Sequence, residues 1–230
     1  MGSDPFLVSR KKGVWPLFRP WARPVRVGNV LVRPAWLDAD PPPGVEHVIS
    51  IEPGRAFGSG AHETTRLALE VLLEQVPNDA RVLDVGCGSG VLAVSAAVAA
   101  GASVVAIDVD PHAVEVTLDN AVRNGAEGHV VASASPLSSI AGSFDVVVAN
   151  ILAVTLREIA ADVARLIAPD GVVVLSGMLI DQAARVDAAY AAVGLRPAGE
   201  RVAGEWCARW YATREATPGD SRVAQSALAP

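Results

Sequence analysis

Arg81-Val-Leu-Asp-Val-Gly-Cys-Gly-Ser-Gly90 is the stretch from which the rest of the chain can be read. Val82, Leu83 and Val85 make a short apolar run of strand type. Gly86, Gly88 and Gly90 remove side chains where the backbone must turn, and Val91 to Ala100 continues as an unbroken apolar helix. A strand, a glycine turn and a helix N-terminus in that order place backbone N–H groups around a ligand, as in the nucleotide-cofactor sites of doubly wound α/β proteins. The stretch therefore predicts an open, mostly parallel sheet and a cofactor crevice at the ends of its strands.

Glycine spacing alone does not choose the cofactor. The dinucleotide fingerprint G-x-G-x-x-G/A fails when read from Gly86, because Val91 fills its last position, and passes from Gly88, with Ala93 last. Asp84 shifts the balance. A carboxylate inside the strand ahead of the first glycine would repel a pyrophosphate and suits a ligand with a cationic amino-acid end, such as S-adenosylmethionine. Asp108 closes the next apolar run, Val104 to Ile107, where a carboxylate can accept from both ribose hydroxyls. Asp84, Gly86, Gly88 and Asp108 are thus candidate cofactor-binding residues.

Downstream, strands and helices alternate. Helix Pro111–Asn124 has proline at its first position and Asn-Gly at its end. A brief strand at His129–Ala132 leads into the small-residue loop Ser133 to Ser139, and Phe144–Ala149 is a Val-rich strand buried on both faces. In an open parallel sheet the ligand lies beyond the strands' carboxyl ends, so Asn150-Ile-Leu152 points into the same crevice as Gly86 and Asp108. A helix at Val154–Ile167 stops at Pro169-Asp-Gly171, which launches the strand Val172–Ser176. Helix Asp181–Val193 ends at Gly194, and two strands joined by Ala203-Gly204 close the pattern as a hairpin. The expected fold class is α/β: a doubly wound, seven-stranded Rossmann-like sheet with its last strand antiparallel.

Upstream, Phe57-Gly-Ser-Gly-Ala-His-Glu-Thr-Thr65 is a glycine-rich loop running into the helix Thr65–Gln75, with Thr64 as its expected N-cap. Such a loop can close over a ligand, which makes Phe57 and His62 candidate substrate contacts alongside Leu152. Residues 1–50 are rich in Pro and Trp. They are expected to form a hairpin around Gly28-Asn29, a strand at Val48–Ile51, and an arm held on the main body by Trp15, Trp21 and Trp36.

The chain has 230 residues, 51% of them hydrophobic, which suits one α/β domain with some added length. Its formal charge of −6 argues against a general nucleic-acid binder. Seven basic residues and no acid fall between Arg10 and Arg33, read as a solvated extended segment. Cys87 and Cys207 are the only cysteines, so no disulfide framework is expected, and the four histidines lack ligand spacing, so no metal is expected. No apolar run reaches the ~18 residues of a membrane span. Met1 to Phe6 lacks the apolar core of a secretion signal, so the expectation is a cytoplasmic protein with no membrane partner.

Three blocks, Phe57 to Thr65, Asp84 to Gly90 with Ile107-Asp-Val-Asp-Pro111, and Val148-Ala-Asn-Ile-Leu152, make the chain resemble the ribosomal protein L11 methyltransferase family. The resemblance covers roughly residues 15 to 212, and its first and third blocks are the specific ones. It implies an S-adenosylmethionine-dependent N-methyltransferase acting on lysine or α-amino nitrogens, with cofactor contacts at Thr65, Gly86, Asp108 and Asn150; from its place at the crevice and its side-chain oxygen, Asn150 is also read as the catalytic residue that orients the amine. The domain expectation is an arm and linker-like segment over 1–55, the methyltransferase domain over 56–213 and a disordered tail over 214–230. Because the first segment resembles the family's linker, the family's N-terminal L11-recognition domain is expected to be missing, which leaves the acceptor open between a protein amine and a small-molecule amine or hydroxyl; the remaining alternative is a non-catalytic cofactor-binding protein, against which the intact Asp84, Asp108, Asn150 and glycines count.

Overall fold

The computed structural model describes residues 24–38, 40–52 and 62–213. Two sheets form within them. The small one joins β1 (Val25–Val27) and β2 (Val30–Pro34) as an antiparallel hairpin and adds β3 (His47–Ile51) parallel to β2. The large one is built from β4 (Arg81–Val85), β5 (Ser103–Ile107), β6 (Val130–Ser133), β7 (Phe144–Asn150), β8 (Ile167–Leu179), β9 (Arg196–Ala203) and β10 (Trp206–Ala212). Its order, β6-β5-β4-β7-β8-β10-β9, reverses between β4 and β7, and β10 runs antiparallel to both neighbours. This is the expected doubly wound, seven-stranded sheet.

Alternation along the central strands assigns the two faces. Val82, Val146, Val148 and Val174 pack towards α1 (Glu63–Gln75) and α2 (Val91–Ala100), with Ala121 of α3 (Pro111–Arg123) in the same cluster. Leu83, Val147, Ala149, Val173 and Leu175 face α4 (Ala153–Glu158), α5 (Ala160–Leu166) and α6 (Ile180–Ala192) on the other side. Both faces are covered, which is why the strands read as continuous apolar runs. α2 is apolar all round for a further reason: Val30, Val32, Ile49 and Ile51 of the small sheet belong to the same buried cluster and pack on its outer side.

The N-terminal strands are therefore part of the core. Valine and isoleucine supply the described packing, while Trp15 and Trp21 lie outside the described residues. The N-cap of α1 is also shifted from Thr64 to His62, whose ring Nδ1 accepts from the Thr64 N–H at 3.3 Å. The helix expected over Val154–Ile167 is jointed at Ile159 (φ −87°, ψ 0°), although the bonds Ile159 N–H to Thr155 C=O and Val163 N–H to Ile159 C=O carry the spiral across. Ile167 already pairs with Phe144, and the next pair is Val146 with Val172. Pro169-Asp-Gly171 is consequently a bulge inside β8, with Asp170 at φ 64°, and not the break before it. No helix among the described residues is long and apolar enough to cross a membrane.

Candidate active site

At the carboxyl ends of β4, β5, β6 and β7 lies a cavity of about 920 Å³, near the upper end of the ~300–1,000 Å³ usual for ligand pockets. Its floor is the glycine turn. Gly86 and Gly90 hold φ of 77° and 75°, and a Cβ on Gly86 would sit 2.4 Å from Ile151 Cγ2, so glycine is required there both for conformation and for space.

The turn does not present the open N–H cradle that its glycines suggest. The N–H groups of Gly86 and Cys87 both donate to the Ile107 C=O (2.8 and 3.0 Å), Gly88 N–H donates to Asp108 Oδ2 (2.9 Å), and Gly90 N–H donates to the Cys87 C=O (2.7 Å). The turn is closed onto the end of β5, and donors spent in this way cannot hold a phosphate. These four donors of the turn are thus not available to a pyrophosphate.

Asp108 lines the cavity. Its Oδ2 accepts from Gly88 and its Oδ1 from the Asp110 N–H at 3.0 Å, so the carboxylate is fixed in orientation while each oxygen keeps a further lone pair. Asp84 is placed differently from the expectation of a direct contact. It is fully buried behind the turn and is not part of the cavity wall; Oδ2 accepts from Ala93 N–H at the start of α2 (3.1 Å), and Oδ1 has no partner. Burial pushes its carboxyl up to about 7 from 3.8, the Ala93 bond opposes this, and the charge of Asp108 adds to it. Burial, with the Asp84 charge second, likewise raises the Cys87 thiol to about 12, so Cys87 is no nucleophile at neutral pH.

The opposite wall carries Asn150, the last residue of β7. Its Nδ2 donates to Thr65 Oγ1 at 3.2 Å, and its Oδ1 is buried with no hydrogen-bond partner. An acceptor left unmade in this way costs stability unless something binds there. Thr65 is held in turn because Ser176 Oγ donates to the adjoining Thr64 C=O at 2.9 Å. Ile151 and Leu152 continue the wall, and Leu152 is 70% exposed at the mouth. The Asn-Ile-Leu turn is seated on Gly177, whose φ is 86° and where a Cβ would meet the Ile151 backbone at 2.4–2.9 Å.

Thr65, Gly86, Gly88, Asp108, Asn150, His62 and Leu152 are thus brought to one cavity, Asp84 lies behind it, and Phe57 falls outside the described residues. Several contributors went unread in the sequence, among them the following. Ser135-Pro-Leu137 follow β6 and line the cavity, a position that strand-end logic predicts. Gly177 has no local signal. Trp206 comes from the antiparallel strand β10 and stands edge-on to His62, ring centroids 5.1 Å apart, both rings on the wall. Among the described residues no group of three His, Cys, Asp or Glu could hold a metal ion.

Residues 19–213 match the family described as ribosomal protein L11 methyltransferase (PrmA). The ribosomal protein L11 methyltransferases of Geobacter metallireducens and Syntrophotalea carbinolica are each 43% identical over 82% and 81% of this chain, which spans 62% of the length of either relative. Among solved structures, the ribosomal protein L11 methylase of Lactobacillus delbrueckii subsp. bulgaricus aligns with a TM-score of 0.74 at 31% identity, covering 80% of this chain and 94% of that one. A methyltransferase from Pyrococcus furiosus, 18% identical with a TM-score of 0.59 over 72% of this chain and 89% of that one, shares the fold. A family match over most of its length, together with relatives this similar, means that the chain belongs to the ribosomal protein L11 methyltransferase (PrmA) family.

Proposed function

We propose that this chain is an S-adenosylmethionine-dependent N-methyltransferase whose acceptor is a protein amine, a lysine side chain or an α-amine. The observation that carries this reading is the Asn150 amide: Thr65 holds its nitrogen, and its buried oxygen faces no donor of the chain's own. Asp108, fixed by Gly88 and Asp110, is the residue to accept from ribose hydroxyls, and the turn with its spent N–H groups suits a ligand without phosphates. Behind the turn the Asp84 carboxyl, raised to about 7 by burial, would be drawn towards its charged form by a cationic ligand.

The cofactor supplies a methyl group on a positively charged sulfur, already activated for displacement. The protein's task is then to hold a neutral amine in line and to exclude water. Lysine titrates near ~10.4 in water, so the pocket must favour the uncharged form. Among the described residues the lining carboxylates, Asp108 and Asp110, belong to the β5 side, while Thr64, Thr65, Ile151, Leu152 and Trp206 are uncharged parts of the lining. A desolvated site without a nearby anion lowers an amine's pKa. Asn150 Oδ1 then accepts from an N–H of the amine and directs its lone pair across the cavity.

The test is to incubate the purified protein with methyl-labelled S-adenosylmethionine and a lysate, then locate the label by mass spectrometry. Labelled lysine or α-amino nitrogens in protein, absent with Asn150→Ala, are the expected result. Label confined to small molecules overturns the acceptor class, and no S-adenosylmethionine-dependent label anywhere overturns the activity.

A further inference from the structure

One face of α3 does work that no cofactor contact explains. Asn120, fully buried, donates through Nδ2 to the Ser89 C=O of the glycine turn and to the Glu52 C=O, both at 2.9 Å, and accepts through Oδ1 from the Glu52 N–H at 2.9 Å. One turn earlier, Thr117 Oγ1 lies 3.2 Å from the Gly88 C=O and donates to it, with Cys87 Sγ 3.3 Å away. One turn later, Asn124 repeats the pattern on Ser50, accepting from its N–H at 2.8 Å and donating to its C=O at 2.9 Å. Thr117, Asn120 and Asn124 share a helix face, since they are three and four residues apart.

The geometry explains why these partners are available. β3 is the edge strand of the small sheet, and alternate residues of a strand turn their N–H and C=O groups to opposite sides. Ser50 and Glu52 turn theirs outward, where a neighbouring strand would pair and where two asparagine amides pair instead. On the turn's side the carbonyls of Gly88 and Ser89 are both drawn to α3, while Gly88 N–H is drawn to Asp108. The peptide planes that set the register of the turn are therefore fixed by α3 on one side and by Asp108 on the other.

We propose that Asn120 is a positioning residue for the cofactor site: with Thr117 and Asn124 it locks the glycine turn to the edge of the small sheet, so that cofactor affinity depends on how that sheet is docked. The inference rests on reading the cavity as a cofactor site, yet part of its test needs no ligand. Thr117→Val keeps the shape and removes only the hydroxyl; Asn120→Ala removes the bridge, and Asn124→Ala removes the outer rung.

Two measurements on the 230-residue chain decide it. Hydrogen exchange should show the amides of Gly88 and Gly90 opening at least about tenfold faster in Thr117→Val and Asn120→Ala, with the β7 and β8 amides unchanged. Calorimetry with S-adenosylhomocysteine should show the dissociation constant rising by about tenfold or more for Asn120→Ala and less for Asn124→Ala, with KM for the cofactor following it and kcat at saturation within about twofold. Uniformly faster exchange across β7 and β8, or turn exchange and affinity both unchanged in folded variants, overturns the proposal. If the unmodified chain fails to bind S-adenosylhomocysteine, the cofactor reading falls, and the exchange pattern of Thr117→Val still decides whether α3 holds the turn.

Discussion

With its nitrogen on Thr65, the Asn150 amide is held in a single orientation with its oxygen buried and unpaired, and the chemistry of that oxygen can be altered one atom at a time. Asn150→Ala should lower kcat about a hundredfold or more while weakening S-adenosylhomocysteine binding far less, because orientation and not cofactor grip is lost. Equal losses in both would make Asn150 only a cofactor contact. Asn150→Asp should leave an anion beside the amine, holding it protonated, so activity should recover only at higher pH and the rising limb of the pH–rate profile should move up. Asp84 offers a separate test, through stability. Its carboxyl is raised to about 7 in the folded chain, against 3.8 ordinarily. Below pH 4 both states hold the proton and nothing is lost. Between 4 and 7 the unfolded chain ionises first, so stability falls as pH rises, by at most roughly 1.4 kcal/mol per pH unit, and the loss is complete above 7. Asp84→Asn should lack this slope, so urea denaturation at pH 5 and pH 8 should show the native chain losing ground to the variant; a gain would refute the assignment.

Loops and helix ends aim these side chains. The Asn-Ile-Leu turn after β7 lies between Gly86 and Gly177, and at both positions an added Cβ would strike Ile151. At Gly177 the clash is with backbone, which cannot swing aside. Gly177→Ala also forces a side chain onto φ 86°, so it should cost about 1–3 kcal/mol in chemical denaturation and reduce turnover by displacing Asn150. Unchanged stability and turnover would mean that the turn is not seated there. The start of α1 shows how far local reading reaches. A hydroxyl at Thr64 is the favoured cap by residue preference, yet the cap is the His62 ring, because Thr64 itself is buried and its carbonyl is committed to Ser176. Competition from a residue in β8 overrode a local rule.

The described residues are layered: small sheet, first helix layer, large sheet, second helix layer. α2 lies between two sheets, which accounts for a helix composed almost entirely of Val, Leu and Ala with Ser95 turned back to the Val91 C=O. Removing residues 1–52 would uncover that helix where Val30, Val32, Ile49 and Ile51 pack on it and take away the Glu52 partner of Asn120 and the Ser50 partner of Asn124. The truncated chain should therefore lose cooperative unfolding and bind hydrophobic dyes; a truncated form that melts as sharply as the full chain would show that the small sheet adds nothing to the core. The doubly wound sheet, its antiparallel strand, the glycine turn and the strand-end placement of Asp108 and Asn150 were all legible in the chain, because each follows from short-range periodicity or from the rule that ligands lie beyond parallel strand ends. What the turn does with its N–H groups was not legible, since that depends on Ile107 and Asp108 lying alongside. The same holds for Asn150 with Thr65, 85 residues apart, and for Asn120 with Glu52, 68 apart. Pairings at such separations are chosen by packing distance and by the need to satisfy buried polar groups, and neither quantity exists until the layers have closed.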